Sequence, residues 1–272
     1  MISVLIPTIG RDETLCRAIE SALAIRNEVV SEIVVLDNSQ DEDFLNVLVN
    51  RVSEYDDSRL TVQSYTERLD MASSWNKGLD FINCPWVLYL HDDDELIPDV
   101  FNKVDLSSFS QYEKGNVAFV AFDYIFDING KRQKSLSLQK SKSYSNLIRI
   151  IKDCPKFVST VINVKNLKAI GAWDVDAGYF LDLLAFIKLA QNYPVVFIEK
   201  TIGVYYLHET NYSALEKRNQ GYGDQIPHVF NELFPKLSAV ERVNLIEMTL
   251  NFVYPKQQNL VCRVVKKIFG CH

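Results

Sequence analysis

Apolar residues in the first third of the chain alternate between two rhythms. Short, almost wholly apolar runs (Ile2-Ser3-Val4-Leu5-Ile6, Ile33-Val34-Val35-Leu36, Leu60-Thr61-Val62 and Trp86-Val87-Leu88-Tyr89-Leu90) read as strands, the last of them buried on both faces. Pro7 is expected to stop the first. Between these runs, apolar residues recur at helical spacing. Leu15, Ile19, Ala22 and Leu23 follow Asp12 as N-cap, Phe44, Leu45, Leu48 and Val52 follow Asp41, and Trp75 and Leu79 share a face within Met71 to Ile82. A βαβαβαβ series with short right-handed crossovers makes a largely parallel sheet with helices on both faces. Ligands of such sheets bind at the carboxyl ends of the strands.

Beyond residue 100 the pattern loosens. Val117 to Phe126 predicts a long strand, Asn129-Gly130 a type I′ turn, and Lys131 to Leu138 the returning strand. Apolar residues surround a helix from Leu183 to Ala190, which implies burial, and Val195 to Ile198 is strand-like. Leu237, Val240, Val243, Leu245, Ile246, Leu250 and Val253 predict a helix ended by Pro255. In residues 258–270, Leu260, Val261, Val264, Val265, Ile268 and Phe269 interleave with Arg263, Lys266 and Lys267. Such a basic amphipathic helix suits either packing on protein or peripheral contact with an anionic membrane.

Composition narrows the partners. With 272 residues, 47% of them apolar, the chain can bury a sizeable core. A net charge of −6 argues against nucleic acid, which would want a basic face. Lys131, Arg132, Lys134, Lys140 and Lys142 form a basic segment that is either a solvated loop or a contact for an anionic acceptor. Five cysteines without a CxxC pair indicate neither a zinc site nor a disulfide framework. The sequence has no recognisable export signal or membrane-spanning run, so a cytoplasmic location is expected, or one at the inner face of the membrane if the tail binds lipid.

The chemistry gathers at the strand ends: Pro7-Thr8 with Arg11, Asp37-Asn38-Ser39, and Asp92-Asp93-Asp94-Glu95. Adjacent carboxylates repel unless a cation or donors compensate, and hard oxygen ligands suit Mg²⁺ or Mn²⁺ holding a diphosphate. A solvated acidic turn would also accommodate them. Three polar ends on one sheet edge favour a nucleotide pocket. No G-x-G-x-x-G follows the first strand and no G-x-x-x-x-G-K-[ST] occurs, so no glycine loop cradles the phosphates.

In order and spacing, Val4-Leu5-Ile6-Pro7-Thr8, Glu32 to Ser39, Ser74-Trp75-Asn76-Lys77-Gly78-Leu79 and Tyr89 to Asp94 resemble family 2 glycosyltransferases. The resemblance implies an α/β GT-A (Rossmann-like) fold with a mostly parallel sheet flanked by helices. Residues 1–215 would form the catalytic domain, with a nucleotide-sugar half (1–100) and an acceptor half (101–215), and 216–272 a helical C-terminal region. It implies inverting transfer from a nucleotide sugar to a hydroxyl, assisted by Mn²⁺ or Mg²⁺. Pro7, Thr8 and Arg11 would then line the donor pocket, Asp37 and Asn38 face the base, and Asn76 lie near the ribose and phosphates. Asp92 would meet ribose or metal, Asp93 be the principal ligand, and Asp94 complete or orient the shell. Asn38 stands where the family usually has a second Asp. An amide can accept from a pyrimidine N3–H and donate to O4, which keeps UDP- or dTDP-type donors in view.

Two later blocks extend the resemblance. Gly171-Ala172-Trp173-Asp174, followed by Asp182 and its helix, resembles the family's Gly-Gly-Phe-Asp and Glu-Asp elements, whose last Asp is the general base. An inverting displacement with oxocarbenium character needs one such base, although capping alone would account for Asp182. Leu181 and Lys188 depart from the usual acid and Arg. Tyr205, His208, Asn211 and Ser213 match Tyr-x-x-His-x-x-Asn-x-Ser, which would bring His208 to the metal or diphosphate. An acceptor on a glycan or lipid-linked glycan, in surface polysaccharide or glycolipid assembly, rests on family analogy. Two other readings remain at this level: a sugar-nucleotide nucleotidyltransferase, for which Pro7-Thr8-Ile9-Gly10-Arg11 is a poor phosphate loop, and a non-catalytic sugar-nucleotide binding protein.

Overall fold

The computed structural model describes residues 1–135, 145–208, 211 and 223–253. The expected series opens the fold: β1 (Ile2–Thr8), α1 (Asp12–Leu23), β2 (Val30–Asp37), α2 (Glu42–Glu54), β3 (Leu60–Ser64), α3 (Met71–Gly78) and β4 (Trp86–Tyr89). These four strands pair in parallel, in the order β3-β2-β1-β4. The second half adds β5 (Glu95–Leu96), α4 (Pro98–Phe101), α5 (Leu106–Lys114), β6 (Phe119–Ile128), β7 (Lys131–Lys134), α6 (Asn146–Lys152), β8 (Thr160–Asn163) and α7 (Val164–Ala169). Then follow α8 (Leu181–Asn192), β9 (Val195–Leu207), α9 (Gln225–Leu233) and α10 (Ala239–Val253). Here the sheet is mixed. β8 runs antiparallel between β4 and β6, β9 pairs in parallel with β6, and β5 closes against β9 in antiparallel fashion.

Side-chain alternation explains the continuous apolar runs. Leu5, Val34, Leu36, Val87 and Tyr89 enter one core with Trp75 and Leu79 of α3 and Leu184 and Phe186 of α8. Val4, Ile6, Ile33, Val35, Trp86 and Leu88 enter the other, with Leu15 and Ile19 of α1 and Leu48 of α2. A strand covered on both faces must be apolar at every position. Gly78 permits one of these contacts: a Cβ there would lie 2.4 Å from Leu36 Cδ1 and 3.0 Å from Leu5 Cδ2.

Several boundaries differ from expectation. β1 continues through Pro7, paired with Leu36, to Thr8, paired with Asp37. Its other neighbour has ended opposite Leu5, so Pro7 lies at the rim, where a missing N–H is tolerated. Helix α1 begins at Asp12, with Arg11 as N-cap. Helix α3 stops at Gly78, and the chain tightens through turns in which Leu79 N donates to Asn76 O and Phe81 N to Gly78 O. The β6–β7 hairpin forms as expected, with positive φ at Asn129 (54°) and Gly130 (80°) and Gly130 N donating to Asp127 Oδ1.

Helices α9 and α10 share the first core through Val229, Leu233 and Leu245. Among the described residues, no helix is long and apolar enough to cross a membrane. The basic tail at 258–270, Lys140, Lys142 and Ser213 lie outside the described residues.

Candidate functional site

The parallel strands deliver their polar ends to one rim. Thr8, at the end of β1, donates from Oγ1 to Asp92 Oδ2 at 2.7 Å. Arg11 Nη1 bridges the next two carboxylates, 3.2 Å from Asp92 Oδ1 and 2.7 Å from Asp93 Oδ2. Arg17, further along α1, donates to the Asp93 carbonyl at 2.7 Å and lies over the Tyr206 ring. From the opposite side come β9 and the residues after it. Tyr206 N donates to Asp94 Oδ1 at 3.0 Å, His208 Nε2 lies 3.0 Å from Asp93 Oδ2, and Asn211 Nδ2 donates to the same oxygen at 3.2 Å.

Asp92, Asp93 and Asp94 are all buried, with Asp94 wholly inaccessible. Burial pushes the Asp92 carboxyl up to about 6, aided by Asp93 and opposed by Thr8 and Arg11. Asp94 is driven well above the carboxylate range by burial and then by Asp93. Among the described residues its Oδ2 has no hydrogen-bond partner, with His91 Nδ1 4.0 Å away, and neither does His91 Nε2. His91, Asp93 and Asp94 each offer one ligand atom, all within 4.8 Å of one another. A buried, unpartnered carboxylate oxygen beside a second carboxylate and an imidazole fits a hard divalent cation.

His91 is therefore a site residue that sequence reasoning passed over, although it directly precedes the acidic run. Asp92 turns instead toward Thr8 and Arg11. Glu95 leaves the cluster altogether: in β5, it accepts from Tyr206 Oη at 2.7 Å and pairs with Arg132 at 3.7 Å. Arg132 is thus committed to Glu95 and Asp127, while Lys131 and Lys134 are exposed on β7.

Two residues expected at the donor pocket also bond to backbone. Asn38 is buried and its amide is engaged with a neighbouring loop, donating to Leu69 O at 2.9 Å and accepting from Leu69 N at 3.0 Å. Asn76 makes the same reciprocal pair with Trp173, at 2.7 and 2.8 Å. In each case the backbone uses one N–H and one lone pair of the amide and so fixes its orientation. Asp37 stays at the rim with Oδ1 accepting from Ser39 N, and Pro7 lies beside it in the β1–β2 ladder.

Asp182 stands in the first turn of α8, and its Oδ1 accepts from Leu183 N at 2.7 Å. It is close enough to His91 for its charge to oppose the burial that lowers the imidazole's affinity for a proton. Cys154 hydrogen-bonds to Asp182, and burial together with that carboxylate holds the thiol well above its usual range. Burial works against the charge of Lys156, but Cys154 and Asp182 outweigh it and raise its proton affinity. An aromatic cluster packs beside His91. Trp75, Tyr89, His91, Phe157 and Trp173 have ring centroids 5.0 to 6.0 Å apart where they touch, and Trp173 Nε1 donates to Tyr89 Oη.

A parallel sheet carrying acidic residues at its rim, followed by a mixed half, is the arrangement of the GT-A class of glycosyltransferases. Residues 3–168 match the profile described as "Glycosyl transferase family 2", and the chain belongs to that family of glycosyltransferases. Solved structures agree on the fold. TarS from S. aureus (residues 1–349), in complex with UDP-GlcNAc, is 15% identical with a TM-score of 0.71, the match covering 98% of this chain and 80% of that one. The mannosyltransferase PcManGT from Pyrobaculum calidifontis, in complex with GDP-Man and Mn²⁺, is 12% identical with a TM-score of 0.67, covering 99% and 74%. No curated protein matches the sequence significantly.

Proposed function

We propose that the protein transfers a sugar, with inversion, from a nucleoside diphosphate sugar to an acceptor hydroxyl, with a divalent cation at the acidic cluster and Asp182 as general base. The observation that supports this reading is the buried Asp94 Oδ2, without a hydrogen-bond partner among the described residues, beside Asp93 and His91, with Asp182 near enough to His91 for its charge to act on the imidazole. Mn²⁺ or Mg²⁺ held there by Asp93, Asp94 and His91, with His208 at its edge, would neutralise charge growing on the departing diphosphate. The known complexes of TarS with UDP-GlcNAc and of PcManGT with GDP-Man and Mn²⁺ support a nucleotide sugar as donor.

The chain's own residues do the rest. Thr8 and Arg11 at the rim orient the diphosphate, and Asp37 accepts from the base. A carboxylate is an acceptor only, so it suits the N3–H of uracil or thymine and repels the N3 lone pair of cytosine. We read the donor as a UDP or dTDP sugar, whose N3–H would meet Asp37; the N1–H of guanine would suit the same carboxylate, and the titration below separates the two. Asp182 takes the proton of the attacking hydroxyl. The cluster of Trp75, Phe157 and Trp173 excludes water beside His91. The acceptor is read as a glycan or lipid-linked glycan.

Asp182→Asn should leave nucleotide and Mn²⁺ binding intact while lowering turnover by about 10²–10⁴-fold, the usual share of one general base. Calorimetric titration with UDP, dTDP, GDP and CDP in the presence of Mn²⁺, then donor hydrolysis without acceptor, tests the reading. Preference for GDP or CDP would refute the base assignment, and undiminished turnover in Asp182→Asn would refute the catalytic one.

A further inference from the structure

We propose that Arg11 is an internal counter-cation: it neutralises the carboxylates of the nucleotide-free protein, yields them to the divalent ion, and passes to the diphosphate, so that metal and nucleotide bind in mutual support. The inference rests on the donor and metal site proposed above and concerns how that site is filled.

The geometry at one atom makes the case. Asp93 Oδ2 is met by three nitrogens: Arg11 Nη1 at 2.7 Å, His208 Nε2 at 3.0 Å and Asn211 Nδ2 at 3.2 Å. An oxygen has two lone pairs, so a cation that takes Oδ2 must displace at least one of these nitrogens. His208 and Asn211 are interlocked, since Asn211 Oδ1 accepts from His208 N at 2.6 Å and its Nδ2 lies 3.2 Å from His208 Nε2. Arg11 carries a fixed positive charge, and its side chain is 30% exposed, close to the 33% of His208, where Asp92 and Asp93 are 6% and 5%, so it has a path out toward solvent. It extends from the N-cap of α1, on the rim where Thr8 and Asp92 meet.

Charge points the same way. The guanidinium is drawn to Asp92 and Asp93 at once, and a divalent ion at Asp93 would face it with like charge at short range. A planar fork that fits carboxylate oxygens fits phosphate oxygens equally well. Released by the metal, it finds its next anion in the diphosphate that the same metal holds. Linkage then requires that each ligand raise the affinity of the other.

The test uses the full chain and follows free Mn²⁺ by its paramagnetic resonance signal, with no turnover involved. Arg11→Gln, folded by circular dichroism, should bind Mn²⁺ alone about tenfold more tightly than the wild type, equivalent to about 1.4 kcal/mol. UDP should tighten Mn²⁺ binding in the wild type and do so less in Arg11→Gln. Arg11→Lys, which keeps a cation of poorer fit, should fall between the two. Unchanged or weaker Mn²⁺ binding by folded Arg11→Gln overturns the proposal while leaving the donor site standing. Should that variant not fold, wild-type protein whose Mn²⁺ affinity is unmoved by UDP overturns it too. Wild-type protein that takes up no Mn²⁺, with or without UDP, overturns the underlying site as well.

Discussion

A single amide at position 38 does work that the carboxylate usual in the family could not do. Asn38 both donates to and accepts from the Leu69 backbone, and it is buried. An aspartate there keeps the acceptor and loses the donor, leaving Leu69 O unpaired beside a new charge. Asn38→Asp should therefore cost about 1–3 kcal/mol in urea denaturation, the usual penalty for a buried group left without its partner, and gain no tighter UDP binding. Tighter UDP binding at unchanged stability would show that the side chain leaves Leu69 to meet the base. Asn76 follows the same logic against Trp173, which ties α3 to the loop carrying Asp174. Both amides tie the rim of the sheet to neighbouring backbone.

Helix α3 shows how an element can be positioned by what it lacks. It is only 8 residues long, capped by Asp70, which accepts from Ser73 N, and it lies against β1 and β2 through Gly78. Any Cβ at 78 must move Leu36 or Leu5, both fully buried in strands whose ends carry Asp37 and Thr8. Gly78→Ala should cost about 1–3 kcal/mol through overpacking, read as a shifted denaturation midpoint. It should also weaken nucleotide binding, because the displaced helix carries Trp75, whose ring lies 5.3 Å from that of His91. A variant with wild-type stability and binding would mean that the helix has slack at this point.

On the scale of the whole molecule, a polar clasp joins the C-terminal helices to the loop before α8. Asp174 meets His228 of α9 at 3.0 Å and Lys188 of α8 at 3.4 Å, and Lys188 reaches Glu232 of α9 at 2.8 Å. Burial pushes the Asp174 carboxyl up, but the His228 hydrogen bond, the Asp176 amide and Lys188 together carry it below its usual value. A depressed acid contributes stability that is complete above the ordinary aspartate value of 3.8 and lost as pH falls through the lower folded value. Asp174→Asn should thus be less stable than wild type at neutral pH, with the two urea midpoints converging on acidification below 3.8. Midpoints that stay parallel across that range would mean that the clasp contributes nothing. The apolar side of the junction, Val229, Leu233 and Leu245, does not titrate and should hold at all pH values.

Much of the architecture follows from local information. Period-two burial in β1, β2 and β4, the helical spacing of Leu15, Ile19 and Leu48, and the paired positive φ at Asn129-Gly130 are consequences of neighbouring residues. So is the delivery of Thr8, Asp37 and Asp92 to one rim, because parallel strands in register end together. The mixed second half was less legible, since β8 reaches its place between β4 and β6 by pairings that no local period encodes. The partner of each polar side chain was likewise decided by tertiary contact alone. Asn38 and Asn76 are spent on backbone 31 and 97 residues away, Glu95 turns to Tyr206, and His91 joins Asp93 and Asp94. A hydrogen bond is set by distance and direction in space, and one sequence records neither for residues so far apart along the chain.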